Sequence, residues 1–182
     1  MDFHKLLAYE LSSADIKRCV KGVAITPYPN LAKVDDIHAV LDSKGRSVLF
    51  FEEEDKGNGQ IGGHWEALWQ GGDGDINFFD SYGLAPDACR KWLSDNQLIQ
   101  LKEHEPELSR LLKGVPHSYS TKRLQSYDQG VATCGRHVCT RLLHRHLSND
   151  DYVALLDEMK GRYGVDSYDK VVCVFTYGIL KK

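Results

Sequence analysis

The sequence predicts an α+β fold, in which a block of strands in the middle of the chain is flanked by helical segments. Three observations point to it. Between residues 47 and 81, three segments alternate apolar and polar residues with period two and are rich in β-branched and aromatic side chains. On both sides of that block, apolar residues recur at three- and four-residue spacing, the mark of helices with one buried face. The 182 residues are 42% hydrophobic and 27% charged, which supplies one substantial core and fits neither a disordered nor a membrane-spanning chain. One domain over 1–182 is expected, with a helical amino-terminal part over 1–45 and the core of the domain over 46–182.

Ser12-Ser13-Ala14-Asp15 reads as a helix start, and Ile16, Cys19, Val20 and Val23 continue at helical spacing until Pro27 and Pro29 close the segment. After Asn30, the positions Leu31, Val34, Ile37, His38 and Leu41 suit a second helical face, ended by the turn Ser43-Lys44-Gly45-Arg46. Strands are expected over 47–52, 64–69 and 76–81. A charged, glycine-rich surface loop over 53–63 joins the first two, and a hairpin turn over 70–75 joins the last two. That hairpin places His64 and Asp80 on adjacent antiparallel strands. Pro86-Asp87-Ala88 opens a helical stretch to about Leu93, and residues 105–112 form another, ending at Gly114. Beyond lie a candidate strand over 119–125, a buried helix over 134–147 and an amphipathic helix over 149–162. An apolar run over 171–176 fits strand and helix equally. No internal repeat is present.

The net charge of -3, with basic residues dispersed apart from a short cluster at Arg141, His144, Arg145 and His146, gives no concentrated basic face, and nucleic acid is not expected as a partner. Five cysteines without Cys-x-x-Cys spacing, and no amino-terminal signal peptide, favour a reducing compartment, cytoplasmic or nuclear. No run of about 18 apolar residues marks a membrane span. The letters Gly57-x-Gly59-x-x-Gly62 match a dinucleotide fingerprint, but a strand pattern follows where a helix is required. Cys134, His137 and His144 share helical spacing without a second ligand cluster to complete four zinc positions, so no metal and no cofactor is expected.

The chemistry centres on Cys134, the first residue of a buried helix, where the positive end of the helix dipole favours the thiolate. His64 supplies an imidazole and Asp80 a carboxylate to orient it. Gln125, nine positions before the cysteine, and Gln129, five before it, are candidate oxyanion donors beside the Cys134 backbone amide. Taken alone, each of these residues has a bland reading: Cys134 as a core thiol like Cys19, Cys139 and Cys173, His64 as a half-buried strand residue, and Asp80 as a turn carboxylate. The ordered set argues for catalysis.

Gly63-His64-Trp65, Phe79-Asp80-Ser81-Tyr82-Gly83, Gln125 and Thr133-Cys134-Gly135 resemble, in that order, the adenovirus protease and SUMO-protease (Ulp-like) superfamily of cysteine peptidases, clan CE. The segment from Gln125 to Gly135 is most similar to the viral members, and the resemblance spans roughly residues 45–147. It implies a papain-like, adenovirus-protease-like core: a mixed sheet flanked by helices, with the nucleophile at a helix amino end. By it, His64 matches the catalytic histidine, Asp80 the acid, Cys134 the nucleophile and Gln125 the oxyanion glutamine. Trp65 matches an aromatic roof over a narrow channel for a Gly-Gly backbone. The gap between Gln125 and Cys134 is longer than is usual in that family, so either the loop bulges or Gln129 is the donor; the surrounding residues favour Gln125.

The resemblance further implies a protein substrate cut after glycine, since a covered slot leaves no room for a Cβ. Viral precursors with Gly-Gly-x sites come first, in the host cell or virion, and ubiquitin or a ubiquitin-like modifier is the alternative. A catalytically silent module that binds a modifier tail is a third reading, opposed by the intact His64, Asp80 and Cys134. Some viral relatives require a peptide or nucleic-acid activator.

Overall fold

The computed structural model describes residues 1–55 and 61–181. Two short helices come first, α1 (Phe3–Ala8) and α2 (Ser13–Cys19), followed by β1 (Ala24–Pro27) and two 3-10 turns at Tyr28–Lys33 and Ile37–Val40. The centre holds β2 (Arg46–Asp55), β3 (Ile61–Gln70) and β4 (Ile76–Phe79). A 3-10 turn at Ala88–Trp92, α3 (Asp95–Leu101), α4 (Glu107–Leu112) and β5 (His117–Tyr119) lead to α5 (Cys134–Leu143), α6 (Asn149–Tyr163) and α7 (Tyr168–Leu180). The class is α+β, as expected, and the sheet is mixed. Its five strands lie in chain order, antiparallel from β2 to β4 and parallel at both edges.

Each face of the sheet is covered by its own apolar cluster. On one side Val48, Trp65, Ala67, Trp69 and Phe79 pack under α2, α5, α6 and α7; on the other Leu49, Phe51, Leu68, Ile76 and Phe78 meet the 3-10 turns, α3 and α4. Strand alternation thus divides β3 between two cores. Because β1 pairs with β2, the boundary expected at residue 45 is not an architectural one.

Ser12 and Asp15 form the capping box that the sequence suggests, but α2 stops at Cys19, where Gly22 (φ +74°) turns the chain into β1. The helix expected after Asn30 is broken into the two 3-10 turns: Val34 is extended, and Asp36 starts the second with a side-chain cap on the His38 amide. The strand expected over 119–125 ends at Tyr119, since the amides of Leu124 and Gln125 are both spent on the Ser81 carbonyl. The apolar run over 171–176 is helical, its register set by the Ser167 cap. Helices α1 and α3 were not foreseen. Of the loop expected over 53–63, residues 56–60, with Gly57 and Gly59, lie outside the described residues, and Gly62 is in β3.

Helix α5 ends four residues earlier than its apolar pattern suggests because Arg141 caps it. The guanidinium, 1% exposed, lies 4.5 Å from the Trp69 ring centroid and 4.7 Å from that of Tyr152, and it donates to the carbonyls of His144 and Leu147. Burial pulls its pKa down to about 10. Arg141 is therefore core, not part of a basic surface. Among the described residues no helix is long and apolar enough to cross a membrane.

One glycine marks where α5 meets β3, and another where β3 meets β2. A Cβ at Gly135 would stand 3.0 Å from Leu11 Cβ and 3.1 Å from Trp65 Cδ1, and one at Gly63 would stand 2.3 Å from the Phe51 carbonyl oxygen. Gly135→Val should lower stability by about 1–3 kcal/mol through overpacking, read from the denaturant midpoint. Gly161→Ala, on an open face of α6, should raise it by about 0.5–1 kcal/mol. Equal midpoints for the Gly135→Val variant and the parent chain would contradict the close approach.

Candidate active site

Cys134 is the first residue of α5 and His64 stands near the start of β3, so the approach of α5 to β3 brings sulfur and ring together. The ring is fully enclosed, 2% exposed, and its Nε2 lies 2.5 Å from Asp80 Oδ2. Cys134 lines the same pocket as the ring and is close enough to act on its protonation. Burial works to lower the imidazole pKa, but the hydrogen bonds to Asp80 and Cys134 overcome it, and the pKa stands well above the ordinary value of 6.5. Asp80 follows β4 directly. Its Oδ1 accepts from the amides of Tyr82 (2.7 Å) and Leu84 (3.2 Å), an Asx-type turn that aims Oδ2 at the histidine.

Gln125 is buried beside them. Its Oε1 accepts from the Ser81 hydroxyl at 2.7 Å, which turns the amide nitrogen the other way, and that nitrogen makes a long 3.4 Å contact to the Val131 carbonyl. The extra residues before Cys134 are taken up by a turn, in which the Val131 amide donates to the Asp128 carbonyl and Gly130 has φ +82°. Gln129 is exposed on that turn and does not reach the pocket.

A pocket of about 230 Å³ opens over His64, Cys134 and Gln125, walled by Tyr82, Trp92 and Tyr127 and flanked by Glu10 and Glu53. Tyr82 stacks on His64 at 5.4 Å, Trp92 meets the same ring edge-on at 5.1 Å, and Tyr127 stacks on Tyr82 at 4.4 Å. Trp65 is not part of this wall. Its indole is 5% exposed, donates to the Leu11 carbonyl at 3.0 Å and packs beneath α5. The expected roof is corrected to a floor because residue 65 falls on the sheet face that α5 covers. Tyr82 and Trp92, on the His64 side, had no assigned role in the sequence reading.

Glu66 was also missed, although period two puts it on the face of His64. Both its oxygens are buried without an N–H or O–H partner, and the Cys89 thiol is the polar group beside it. Burial first, then the charge of Asp80, pushes its pKa up to about 8, so the carboxyl is protonated at neutral pH. Among the described residues, His64, Glu66 and Asp80 are the group whose ligand atoms converge as a metal site would require, all within 4.8 Å. In this geometry the nitrogen and oxygen of His64 and Asp80 are spent on each other. Cys134, His137 and His144 do not converge: His137 turns to Asp169 and His144 to the Thr140 carbonyl.

Because the folded Glu66 keeps its proton to about pH 8 while the unfolded chain releases it near 4.5, this group opposes folding increasingly as pH rises between those values. Glu66→Gln should therefore match the parent chain at pH 4 and exceed its stability by roughly 3 kcal/mol at pH 7, levelling off only above about pH 8. A difference that stays constant across pH would show that the carboxyl is not held neutral.

No protein-family model matches the chain. It is 34% identical over 169 residues to the uncharacterized protein V9 of the Sputnik virophage, an alignment that covers 91% of this chain and 93% of that protein.

Proposed function

The chain belongs to the family of virophage protein V9, and we propose that it is a cysteine peptidase of the adenovirus-protease and SUMO-protease type, with a papain-like core, that cuts viral proteins after glycine. The observation that carries this reading is the buried His64 ring, gripped by Asp80 on one nitrogen and facing Cys134, at the mouth of a pocket that also holds Gln125. A virophage relative favours a viral precursor over a cellular modifier as substrate.

In the proposed reaction His64 takes the Cys134 proton and the sulfur attacks the glycine's own carbonyl carbon, forming the C–S bond as the carbonyl electrons move to oxygen. Gln125 Nε2 and the Cys134 backbone amide hold that oxyanion. The imidazolium then protonates the leaving amine, the C–N bond breaks, and water releases the acyl group by the reverse proton path. Burial suits each step, because the charges interact in surroundings of low dielectric. Glycine specificity fits the aromatic wall of Tyr82, Trp92 and Tyr127, which narrows the approach to the sulfur. All five cysteines are free thiols, as a reducing host cell or a virion interior would keep them.

The purified chain should cleave peptides containing Gly-Gly-x and be labelled by a thiol-reactive probe ending in Gly-Gly, and Cys134→Ala should abolish both. Rapid reaction with ubiquitin-type probes and none with the peptides would move the substrate to ubiquitin-like modifiers, and tight binding without labelling would leave a silent module. Gln125→Ala should lower kcat about 100-fold or more, while Gln129→Ala stays within about twofold; the reverse would exchange their roles.

The raised pKa of His64 sets the alkaline limb of the pH profile. The imidazolium is the proton donor, so kcat/KM should hold above the ordinary imidazole range and fall only as pH passes the elevated value. Asp80→Asn should bring that limb down by at least about one pH unit. An unmoved limb would exclude Asp80 as the partner.

A further inference from the structure

Asp169 lies in the first turn of α7, far along the chain from the pocket, and its carboxylate is 4% exposed. Oδ1 accepts from the Thr133 hydroxyl and, at 3.0 Å, from His137 Nε2; Oδ2 accepts from the Ser126 amide at 3.0 Å. These three partners have one thing in common. Ser126 follows Gln125, Thr133 precedes Cys134, and His137 is one helical turn beyond the sulfur, so a single carboxylate grips both ends of the segment that joins the amide donor to the nucleophile. Burial works to raise the pKa of Asp169, but the hydrogen bonds and charge of its partners keep it below the usual carboxylate range, so the group stays an anion and its bonds are charge-assisted.

The rest of the segment is held from the other side. The amides of Leu124 and Gln125 donate to the Ser81 carbonyl, and the Ala132 amide donates to the Leu7 carbonyl at 2.7 Å. Ser81 therefore ties Gln125 to the strand that carries Asp80, and Asp169 ties the same stretch to the start of α5. Between these ties residues 127–130 are exposed, and Asp169 is the group that links the two ends of the segment directly.

Resting on the peptidase reading, we infer that Asp169 is a positioning residue: it fixes the oxyanion donor and the nucleophile at one spacing, so that both meet the same carbonyl group. A misplacement of about 1 Å between such groups is enough to slow an enzyme roughly 100-fold. The role differs from that of His64 and Asp80, because Asp169 touches neither substrate nor sulfur. It is felt only where an oxygen must be stabilised while the sulfur attacks.

Two chemistries at the same sulfur separate this role from general support of the fold. Iodoacetamide alkylates Cys134 at a saturated carbon and develops no oxyanion, whereas peptide cleavage requires one. Thr133→Val, which removes one grip at constant volume, and Asp169→Leu, which removes all three, should lower kcat on a Gly-Gly-x peptide at least about tenfold with KM within twofold. Alkylation of Cys134, followed by mass spectrometry, should stay within about threefold of the parent chain. Asp169→Asn should recover part of kcat, since its amide can present an oxygen to Ser126 and N–H groups to Thr133 and His137. Unchanged kcat, or alkylation that falls in step with kcat, overturns the inference. Hydrogen exchange gives an arm that needs no activity: the Ser126 amide should exchange at least about tenfold faster in Asp169→Leu, or in Thr133→Val if the former does not fold, while the amides of Val138 to Leu142 are unchanged. An unchanged Ser126 amide refutes the clamp whatever the activity, and faster exchange in a chain that cleaves nothing ends the peptidase reading while the clamp stands.

Discussion

The close approach of α5 to β3 is the constraint from which the rest of the site follows. Residue 135 carries no side chain, and a Cβ there would crowd Leu11, Trp65 and Ile16. The short amino-terminal helices are part of the same arrangement: the Leu11 carbonyl takes the indole N–H of Trp65, and Leu11 and Ile16 fill the cleft between the sheet and the first turn of α5. What the sequence offers as an aromatic lid is used instead as the surface on which the nucleophile helix rests. The sulfur then stands at the end of the sheet, where a ring on the opposite face of β3 can still be met.

Electrostatics of the pocket depend on how few charges are allowed into it. His64 and Asp80 form one buried pair, and Asp80 has its second oxygen satisfied by two backbone amides, so neither member is left desolvated without compensation. Glu66 would add a second anion on the same face and is instead held neutral. The carboxyl thus costs stability at physiological pH and leaves the pair's charge balance intact. Arg141 and Asp169 follow the same logic elsewhere: each is buried, and each is held by several partners of complementary kind, π faces and carbonyl oxygens in one case, where Arg141 Nε is left without an acceptor, and N–H and O–H donors in the other.

What the sequence makes legible is what local chemistry controls. The three central strands, the β3–β4 turn and α6 follow from period, turn residues and caps, and the placement of His64 near Asp80 follows once β3 and β4 are paired, while Cys134 joins them through the packing of α5 on β3. Gln125 could be named, and a turn takes up its long spacing from Cys134 and leaves Gln129 exposed. The failures have a different origin. β1 and β5 pair in parallel with residues about 20 and 40 positions away, and no local signal marks such partners. Trp65 was assigned by motif where the parity of β3 decides its face, and the same parity would have placed Glu66 beside His64. Asp169 precedes a run that fits strand and helix equally and carries no local signal; only the folded chain shows what it holds.

The position of α7 in the chain has a consequence for how the molecule comes into being. Residues 64, 80, 125 and 134 all precede residue 169, so in a growing chain the Cys134 thiol is made before the carboxylate that grips Ser126 and Thr133, the two ends of its segment. The link between the two ends of that segment is complete only once α7 docks, an order of assembly written into the polypeptide itself.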